Sequence, residues 1–208
     1  MNYENKNINI YKKLITIHGI DNVNSLGYGD KQSQLQRFTK LIEIGEFKEN
    51  TSILDVGCGY GDLYTFIKNN ITSPTIQYTG IDLMDDFVHI AKNKHIDKNI
   101  SFSKISFNDH FEMCKKYNIK YDYILSSGIF SFYIENWNEY VKKTLSNMFS
   151  ICNIGIAATF LSVNGDKKIE DRMYMNPKDM IDISSNITYK FKLDHTYRKN
   201  NFIIYLYK

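Results

Sequence analysis

Ile53-Leu-Asp-Val-Gly-Cys-Gly-Tyr-Gly-Asp-Leu63 joins a short aliphatic segment to three glycines at alternate positions. The aliphatic segment predicts a buried β-strand that carries Asp55 at its end. Gly57, Gly59 and Gly61 have no side chain, so the backbone can turn sharply there and lie against a ligand. The helix predicted next begins with unpaired N–H groups that attract a negative or electron-rich group. The segment therefore predicts a cofactor-binding loop between a strand and a helix.

Length and composition predict one ordinary globular domain. The chain has 208 residues, of which 43% are hydrophobic and 24% are charged, and its net charge is +3. This length suits a single α/β domain, and so small a charge does not favour nucleic acid as a partner. Cys58, Cys114 and Cys152 show no CxxC spacing, which indicates a reducing cytoplasm and argues against a disulfide framework or a zinc site.

We expect neither a signal peptide at the start of the sequence nor a membrane-spanning segment. The first residues, Met1 to Lys6, lack the apolar segment of a signal peptide. No apolar run approaches the roughly 20 residues that a membrane-spanning helix needs. We therefore expect a cytoplasmic protein with no membrane span.

From residue 52 onward, predicted strands and helices alternate. The predicted strands cover residues 52–56, 75–82, 100–104, 121–126, 155–161, 188–195 and 201–207, and the predicted helices cover 62–69, 85–92, 108–117, 136–149 and 177–184. Such alternation predicts a Rossmann-like, doubly wound α/β fold with a mostly parallel seven-stranded sheet. The short turn between the last two strands makes the last strand antiparallel.

Two amphipathic helices precede this alternating region. Apolar residues recur at helical spacing, at Ile8, Tyr11, Leu14, Ile15 and His18 in the first helix and at Leu35, Phe38, Leu41 and Ile42 in the second. We expect residues 1–208 to form one domain. In it, residues 50–208 are the core and the helices of residues 1–48 form a cap over the cofactor and acceptor site.

A second cofactor signal follows the second predicted strand. Asp82 ends the segment Gly80-Ile-Asp82, about twenty residues after the last glycine of the loop. Ligands in doubly wound sheets bind beyond the carboxyl ends of the strands, where an acidic side chain can accept both hydroxyls of a ribose. The loop is tighter than the G-x-G-x-x-G of dinucleotide sites and lacks the lysine of a phosphate-binding loop. Both features favour a nucleoside ligand without a pyrophosphate.

These motifs resemble those of the class I S-adenosylmethionine-dependent methyltransferases. The resemblance rests on Ile53–Leu63, on Asp82, and on the strand Tyr121–Ser126 followed by Ser127-Gly-Ile-Phe130, and it covers about residues 50 to 208. It implies the seven-stranded fold of that family. It also implies S-adenosylmethionine as cofactor, with S-adenosylhomocysteine as product.

The family pattern implies a role for each matching residue. Asp55 and the backbone of Gly57, Gly59 and Gly61 would hold the methionine end, and Asp82 would bind the ribose. Leu83 or Met84 would pack on the adenine, whose edge would lie near Ser106 and Phe107. Ser127 and Gly128 would border the methionine moiety, and Arg37 is a candidate for its carboxylate. The acidic residue usual at the adenine edge has no clear counterpart, because Asp109 comes slightly late.

A narrower resemblance points to a subgroup of small bacterial methyltransferases of surface-polysaccharide or natural-product pathways. Its features are Gly27-Tyr28-Gly29, the segment from Gln32 to Arg37-Phe38, the Tyr174–Pro177 segment, and a terminal hairpin with His195, Tyr197 and Phe202. This chain departs from the subgroup at Asn201, where a glutamate is usual.

Methylation of a hydroxyl needs a general base, because an alcohol loses its proton during attack. His195 is the first candidate for this base, and Tyr28 and Tyr197 are further catalytic candidates. Four tyrosines are candidates to line the acceptor pocket, namely Tyr28, Tyr133, Tyr174 and Tyr197. Only three of the 26 basic residues are arginines. Of these, Arg172 or Arg198 is a candidate to hold an anionic acceptor, with a solvated surface charge as the alternative.

The expected activity is a metal-independent methyl transfer to a small molecule, most simply to an oxygen atom. Where metal-dependent relatives carry acidic ligands, this chain reads Ser126-Ser-Gly128, so no metal site is expected. The favoured acceptor is a sugar, sugar nucleotide or phosphate-derived precursor of a bacterial surface polysaccharide (capsule or lipopolysaccharide). Two alternatives stay open, namely an RNA or protein methyltransferase and a non-catalytic S-adenosylmethionine-binding module. The sequence gives no prediction of the oligomeric state.

Overall fold

The computed structural model describes residues 3–71, 75–132 and 134–208. The described strands are β1 (Ser52–Val56), β2 (Gln77–Asp82), β3 (Ile100–Lys104), β4 (Tyr121–Ser127), β5 (Cys152–Leu161), β6 (Phe191–Arg198) and β7 (Asn201–Tyr207). The described helices are α1 (Tyr3–His18), α2 (Lys31–Ile42), α3 (Asp62–Asn70), α4 (Asp85–Lys94), α5 (Phe107–Tyr117), α6 (Trp137–Ser150) and α7 (Pro177–Ser185).

The strands form one sheet in the order β3-β2-β1-β4-β5-β7-β6. Strands β1 to β5 pair in parallel, whereas β7 runs antiparallel to both β5 and β6. The predicted doubly wound fold with an antiparallel last strand is confirmed. The carboxyl ends of β1 and β4 are adjacent, since Val56 pairs with Ser126, and this edge is where a ligand is expected.

The penultimate strand is displaced by three residues from its predicted position. The backbone N–H groups of Ile187 and Thr188 still bond to the Ser184 carbonyl at the end of α7. The Thr188 hydroxyl then accepts from the Lys190 N–H, so the chain turns here before it becomes a strand. As a result β6 ends at Arg198 and not at His195, which lies inside the strand.

Alternate residues of the central strands pack on opposite faces of the sheet. One face contributes Ile156, Ala158 and Phe160 to the cluster formed with α5, α6 and α7. The other face contributes residues such as Ala157 to the cluster formed with α2, α3 and α4. Two residues of the helical patterns lie away from the buried faces, because Leu35 is 39% exposed and His18 is exposed.

Helix α2 buries polar side chains beside Phe38 and Leu41 of its apolar stripe. Its buried residues are Ser33, Gln34, Arg37, Phe38 and Leu41. Burying a guanidinium is costly unless it gains partners, which makes Arg37 a candidate for a functional role. Among the described helices, none is long and apolar enough to cross a membrane.

Candidate active site

The glycine loop is held in a conformation that favours glycine at all three positions. Gly57, Gly59 and Gly61 have φ angles of 81°, 54° and 76°, in the left-handed region that side chains disfavour. A Cβ atom at Gly57 would lie 2.4 Å from Ile129 Cγ2, and one at Gly59 would lie 2.8 Å from Leu26 Cδ2. The loop therefore has neither the torsional freedom nor the space for other residues.

Asp82 joins the end of β2 to this loop. Its Oδ2 accepts from the Gly59 N–H at 3.0 Å and its Oδ1 accepts from the Met84 N–H at 2.9 Å. Burial raises the pKa of this carboxyl, and the hydrogen bonds from Met84 and Gly59 oppose that shift. Each oxygen keeps a further lone pair, and the side chain borders a cavity. A carboxylate fixed in this way can accept two hydroxyl groups.

Asp55, at the end of β1, is the most buried carboxylate of the site, with 2% of its surface exposed. Its Oδ2 accepts from the Tyr78 hydroxyl at 2.5 Å. Burial raises the pKa of Asp55 to about 7, against the Tyr78 hydrogen bond and with help from the charge of Asp82. The carboxyl is thus poised to ionise when a positive group binds nearby.

A cavity opens over the carboxyl ends of β1, β2 and β4 and is closed from above by α1 and the loop before α2. Nine of the predicted site residues line it: Tyr28, Asp55, Gly57, Gly59, Asp82, Leu83, Ser106, Phe107 and Ser127. The structure thus brings together a polar end at the loop and a less polar end beside Leu83 and Phe107.

Four predicted cofactor residues lie outside the cavity wall in the described part of the chain, namely Arg37, Gly61, Met84 and Gly128. Met84 packs in a separate cluster with Tyr60 and Phe87, so of the pair predicted to meet adenine only Leu83 borders the cavity. A Cβ at Gly61 would point towards His95, and Gly128 makes the turn after β4. Asp109 is engaged at the start of α5, where its carboxylate accepts from the Ser106 hydroxyl at 2.8 Å.

The structure does not place His195 on the cavity wall, judged on the residues it describes. Its Nε2 lies 2.9 Å from the Lys199 carbonyl oxygen, across the hairpin turn. Tyr28 lines the cavity and donates from its hydroxyl to Ser127 Oγ at 2.7 Å. Burial raises the pKa of Tyr28 to about 12, so at neutral pH this hydroxyl is a donor.

Arg37 and Tyr197 lie together just behind Tyr28. The Arg37 guanidinium carbon is 5.0 Å from the centre of the Tyr28 ring. Burial raises the pKa of Tyr197 to about 12, although the nearby charge of Arg37 opposes this shift. Tyr174 is elsewhere, with its hydroxyl accepting from the Ile169 N–H, and Tyr133 lies outside the described residues.

Helix α1 supplies site residues that were not predicted from the sequence. Tyr11 lines the cavity and makes edge contacts with Phe87 and Phe132, at 5.5 and 5.1 Å between ring centres. Its place on the apolar stripe of α1 was the only signal, and that stripe predicts core packing equally well.

Gln34 and Asp62 form a second unpredicted pair on the cavity wall. Gln34 Nε2 donates to Asp62 Oδ2 at 3.0 Å and so ties α2 to the start of α3. Asp62 is part of the opening motif, but nothing in the sequence singled out Gln34.

The residues present fit S-adenosylmethionine. The Asp82 carboxylate faces the cavity with acceptor capacity left for a ribose, and Asp55 can ionise beside an ammonium group. Leu83 and Phe107 offer apolar surface for a base. Within residues 3–71, 75–132 and 134–208, no group of three or more His, Cys, Asp or Glu side chains is arranged to hold a metal ion.

Comparison with known proteins connects this geometry to a family. Residues 54–155 match the family model described as a methyltransferase domain. An uncharacterised protein of Methanocaldococcus jannaschii is 28% identical over 162 residues. The match covers 68% of this chain and 41% of that relative, so the chain spans about two fifths of the relative's length.

Solved structures share the fold at low sequence identity. Magnesium protoporphyrin IX methyltransferase from Synechocystis PCC 6803, solved with bound S-adenosylmethionine, is 14% identical with a TM-score of 0.68. That match covers 100% of this chain and 98% of the other. A phosphoethanolamine N-methyltransferase of Haemonchus contortus, solved with phosphomonomethylethanolamine and S-adenosylhomocysteine, is 14% identical with a TM-score of 0.57, and the match covers 76% of this chain and 38% of the other.

Proposed function

The chain belongs to the class I S-adenosylmethionine-dependent methyltransferases, and from this premise we propose that it methylates a small molecule on oxygen. The acceptor we propose is a sugar, a sugar nucleotide or a phosphate-derived precursor of a bacterial surface polysaccharide. The resemblance of Gly27–Phe38 and of the His195–Phe202 hairpin to small methyltransferases of such pathways supports this acceptor class.

The position of Tyr11 carries the small-molecule part of the proposal. This α1 residue bridges Phe87 of α4 and Phe132 of the loop after β4, so α1 lies across the cavity. A helix that covers the cavity in this way suits a compact acceptor and obstructs a nucleic-acid strand or a folded protein. We extend the proposal to the domain organisation, in which the helices of residues 1–48 cap the core of residues 50–208.

The cofactor supplies an activated methyl group on a sulfonium sulfur. For its binding we propose Asp82 at the ribose hydroxyls, Leu83 with Ser106 and Phe107 around the adenine, and Ser127 beside the methionine moiety. Asp55 and the glycine-loop backbone would hold the methionine amino and carboxylate groups. Arg37 would add a positive charge towards the carboxylate, with Tyr28 stacked between it and the cavity.

The residues of the acceptor side must orient a hydroxyl, exclude water and take up its proton. Tyr28, fixed by its hydrogen bond to Ser127 Oγ, is suited to orienting the acceptor. The proposal that His195 is the general base requires its imidazole to leave the Lys199 carbonyl and turn towards the cavity. His195→Gln should then lower kcat by about 100-fold or more, with cofactor affinity unchanged, whereas an unchanged kcat would remove His195 from the mechanism.

The test of the function is methylation by the purified protein. We would incubate it with S-adenosylmethionine and a panel of nucleotide-activated sugars, sugar phosphates and amines, and detect methylated products by mass spectrometry. Methylation of a sugar hydroxyl is the expected outcome. Methylation of amines alone would overturn the assignment to oxygen.

The two alternatives make different predictions in the same experiments. An RNA methyltransferase would bind RNA with an affinity that falls steeply as salt rises. A non-catalytic module would bind the cofactor without turnover on any acceptor. We also propose that the enzyme needs no divalent metal, and unchanged turnover in the presence of a chelator is the expected result.

A further inference from the structure

The three arginines of this chain differ from its lysines in their ion-pair partners. Each ion pair found between side chains of the described residues uses a lysine, in contacts with Asp21, Glu43, Glu46, Asp62, Asp166, Asp171 and Asp194. Arg37, Arg172 and Arg198 have no carboxylate within ion-pair distance in the same ranges. Arginine is the side chain best suited to bidentate recognition of phosphate, so three unpaired arginines need an explanation.

The three arginines are far apart in sequence but contact neighbouring residues of one region. Arg37 lies against the Tyr28 ring, Arg172 donates to the Gly27 carbonyl, and Arg198 donates to Gln36. Burial lowers the pKa of Arg37, and the positive charges of Arg198 and Arg172 lower it further against the opposing influence of Tyr28 and Tyr197. Arg37 is only 7% exposed. Gathering like charges around a buried guanidinium destabilises the unliganded protein and favours an anion that would neutralise them.

Arg172 and Arg198 approach Arg37 from two different elements. Arg198 ends β6, and its guanidinium donates to Gln36 Oε1 on α2 at 2.8 Å. The Arg172 guanidinium carbon is 4.0 Å from the centre of the Phe132 ring, and its Nη2 donates to the Gly27 carbonyl at 3.4 Å. Since Phe132 lines the cavity, Arg172 lies directly behind the cavity wall.

Buried polar atoms without partners lie on Arg37 itself and on strands β5, β6 and β7. In the described part of the chain, Arg37 Nε, Thr159 Oγ1, the Tyr197 hydroxyl and both amide atoms of Asn201 make no hydrogen bond. Thr159 pairs with Ile203, and Asn201 pairs with both Leu161 and Arg198, so these residues share the carboxyl end of β5 and its neighbours. Buried polar groups are normally hydrogen-bonded, so these atoms are available to bind a polar ligand.

The neighbouring carboxylate is already engaged. Asp194 Oδ2 is 3.1 Å from Lys40 Nζ, and its Oδ1 accepts from the backbone N–H and the hydroxyl of Thr196. Asp194 therefore does not neutralise the arginines.

We infer that Arg37, Arg172 and Arg198, with Tyr197 and Asn201, form an arginine pocket that binds a phosphate group of the methyl acceptor. The inference rests on the proposed function, because it assigns the pocket to the acceptor of the same site. The methionine carboxylate of the cofactor carries one negative charge, which Arg37 can balance. Two arginine charges are then left, and a phosphate dianion balances them. The hydroxyl of Tyr197 and the amide of Asn201 supply further hydrogen bonds to its oxygens.

The test uses inorganic phosphate and pyrophosphate as probes. We would titrate each into protein saturated with S-adenosylhomocysteine, and compare the wild type with Arg172→Gln and Arg198→Gln. Loss of one charge-assisted contact should weaken binding of the phosphate probe about tenfold or more in each variant. Lys190→Gln, at the other end of β6, is the matched control and should bind the probe as the wild type does.

The cofactor titration separates this inference from the proposed function. Both arginine variants should bind S-adenosylhomocysteine within about twofold of the wild type, which also shows that they are folded. Wild-type protein that binds S-adenosylhomocysteine but neither phosphate probe, or variants with unchanged probe affinity, would overturn the arginine pocket alone. Acetate binding as tightly as phosphate would overturn the assignment to a phosphate. Failure to bind S-adenosylhomocysteine would instead contradict the assigned cofactor.

Discussion

Polar groups are more completely paired at the proposed cofactor end of the site, formed by Asp55, Asp82 and the glycine loop, than at the proposed acceptor end, formed by Arg37, Thr159, Tyr197 and Asn201. At the cofactor end, Asp82 accepts from two backbone N–H groups and Asp55 accepts from Tyr78. At the acceptor end, Arg37, Thr159, Tyr197 and Asn201 hold buried atoms without partners among the described residues. The first end is preorganised by hydrogen bonds within the protein, whereas the second keeps buried polar groups that can still bind a partner.

This difference separates stability from function. Asp82 holds the glycine loop by hydrogen bonds and is also proposed to bind the cofactor, so changes at the cofactor end should weaken cofactor binding and the stability of the fold together. Groups at the acceptor end cost stability until a ligand arrives, so removing them should weaken function while leaving the fold intact or more stable. Each prediction below tests one side of that contrast, in order of decreasing effect.

Asp82→Ala should have the largest effect on cofactor binding. The variant would lose the two charged hydrogen bonds that we propose to the ribose, each contributing about 1.5–3 kcal/mol, so the affinity for S-adenosylmethionine should fall by about 100-fold or more. It also leaves the N–H groups of Gly59 and Met84 without their acceptor, so the unfolding temperature should fall. Isothermal titration calorimetry and thermal unfolding measure the two effects.

Asp86→Ala, at the exposed start of α4, is the control for this substitution. It changes the net charge equally and should leave both affinity and stability near those of the wild type. Asp82→Ala protein that binds S-adenosylmethionine normally would show that the predicted ribose contact is wrong.

The cofactor end was predictable from the sequence because its signal is local. Gly57, Gly59 and Gly61 need a backbone conformation that only glycine adopts readily, and Asp82 follows at a spacing set by one helix and one strand. Parallel strands bring their carboxyl ends to one edge, so Asp55, Asp82 and Ser127 could be placed together before the structure was known.

The acceptor end was not predictable in the same way, because its residues come from distant parts of the chain. Arg37, Arg172 and Arg198 meet only after α2, the loop after β5 and β6 have packed. In the sequence each arginine was a separate candidate for binding an anion, with a solvated surface charge as the alternative. A three-residue displacement of β6, caused by the turn that follows α7, was enough to change which side chains end that strand.

Arg37→Met should separate function from stability, because Arg37 is proposed to face the cofactor carboxylate as well as the arginine pocket. Loss of the guanidinium should lower the affinity for S-adenosylmethionine by about 10- to 100-fold, because a charged hydrogen bond is lost. The free energy of unfolding should stay the same or rise, because a buried unpaired charge is replaced by an apolar side chain of similar length. Calorimetry and urea unfolding give the two quantities.

Lys40→Met, one turn further along α2, is the matched comparison. Lys40 lies 3.1 Å from Asp194 and 2.9 Å from Glu43, so its removal leaves Asp194 without its cation and should destabilise the fold by about 1–3 kcal/mol. If Arg37→Met destabilises the protein as much as Lys40→Met, the guanidinium has a structural partner and the contrast fails.

The pH dependence of cofactor binding tests Asp55 at the other end. Its pKa of about 7 in the unliganded protein means that binding beside an ammonium group must first ionise the carboxyl. The affinity for S-adenosylmethionine should therefore rise about tenfold between pH 6 and pH 7.5, and the profile should flatten in Asp55→Asn.

The stability of the unliganded protein should change in the opposite direction. The folded-state pKa of Asp55 lies above its ordinary value of 3.8, so its contribution is fully present below that value and is lost as the pH rises through about 7. Urea unfolding from pH 4 to pH 8 should show this decline in the wild type and a smaller one in Asp55→Asn. A wild-type profile no steeper than that of Asp55→Asn would contradict the raised pKa.

The smallest predicted effect compares two buried hydroxyls on neighbouring strands. Ser126 of β4 donates to the Val56 carbonyl at 3.0 Å, whereas Thr159 Oγ1 of β5 has no partner within the residues described. Each is 1% exposed, so solvent does not distinguish them. Ser126→Ala should lower the free energy of unfolding by about 1 kcal/mol, because a hydrogen bond is lost. Thr159→Val should raise it by about 1 kcal/mol, because an unsatisfied hydroxyl becomes a methyl group of the same shape.

Changes of opposite sign in the free energy of unfolding would mean that hydrogen-bond pairing, and not burial, distinguishes the two ends. A loss of stability in both variants would mean that the Thr159 hydroxyl is paired in solution and that the acceptor end is complete without a ligand.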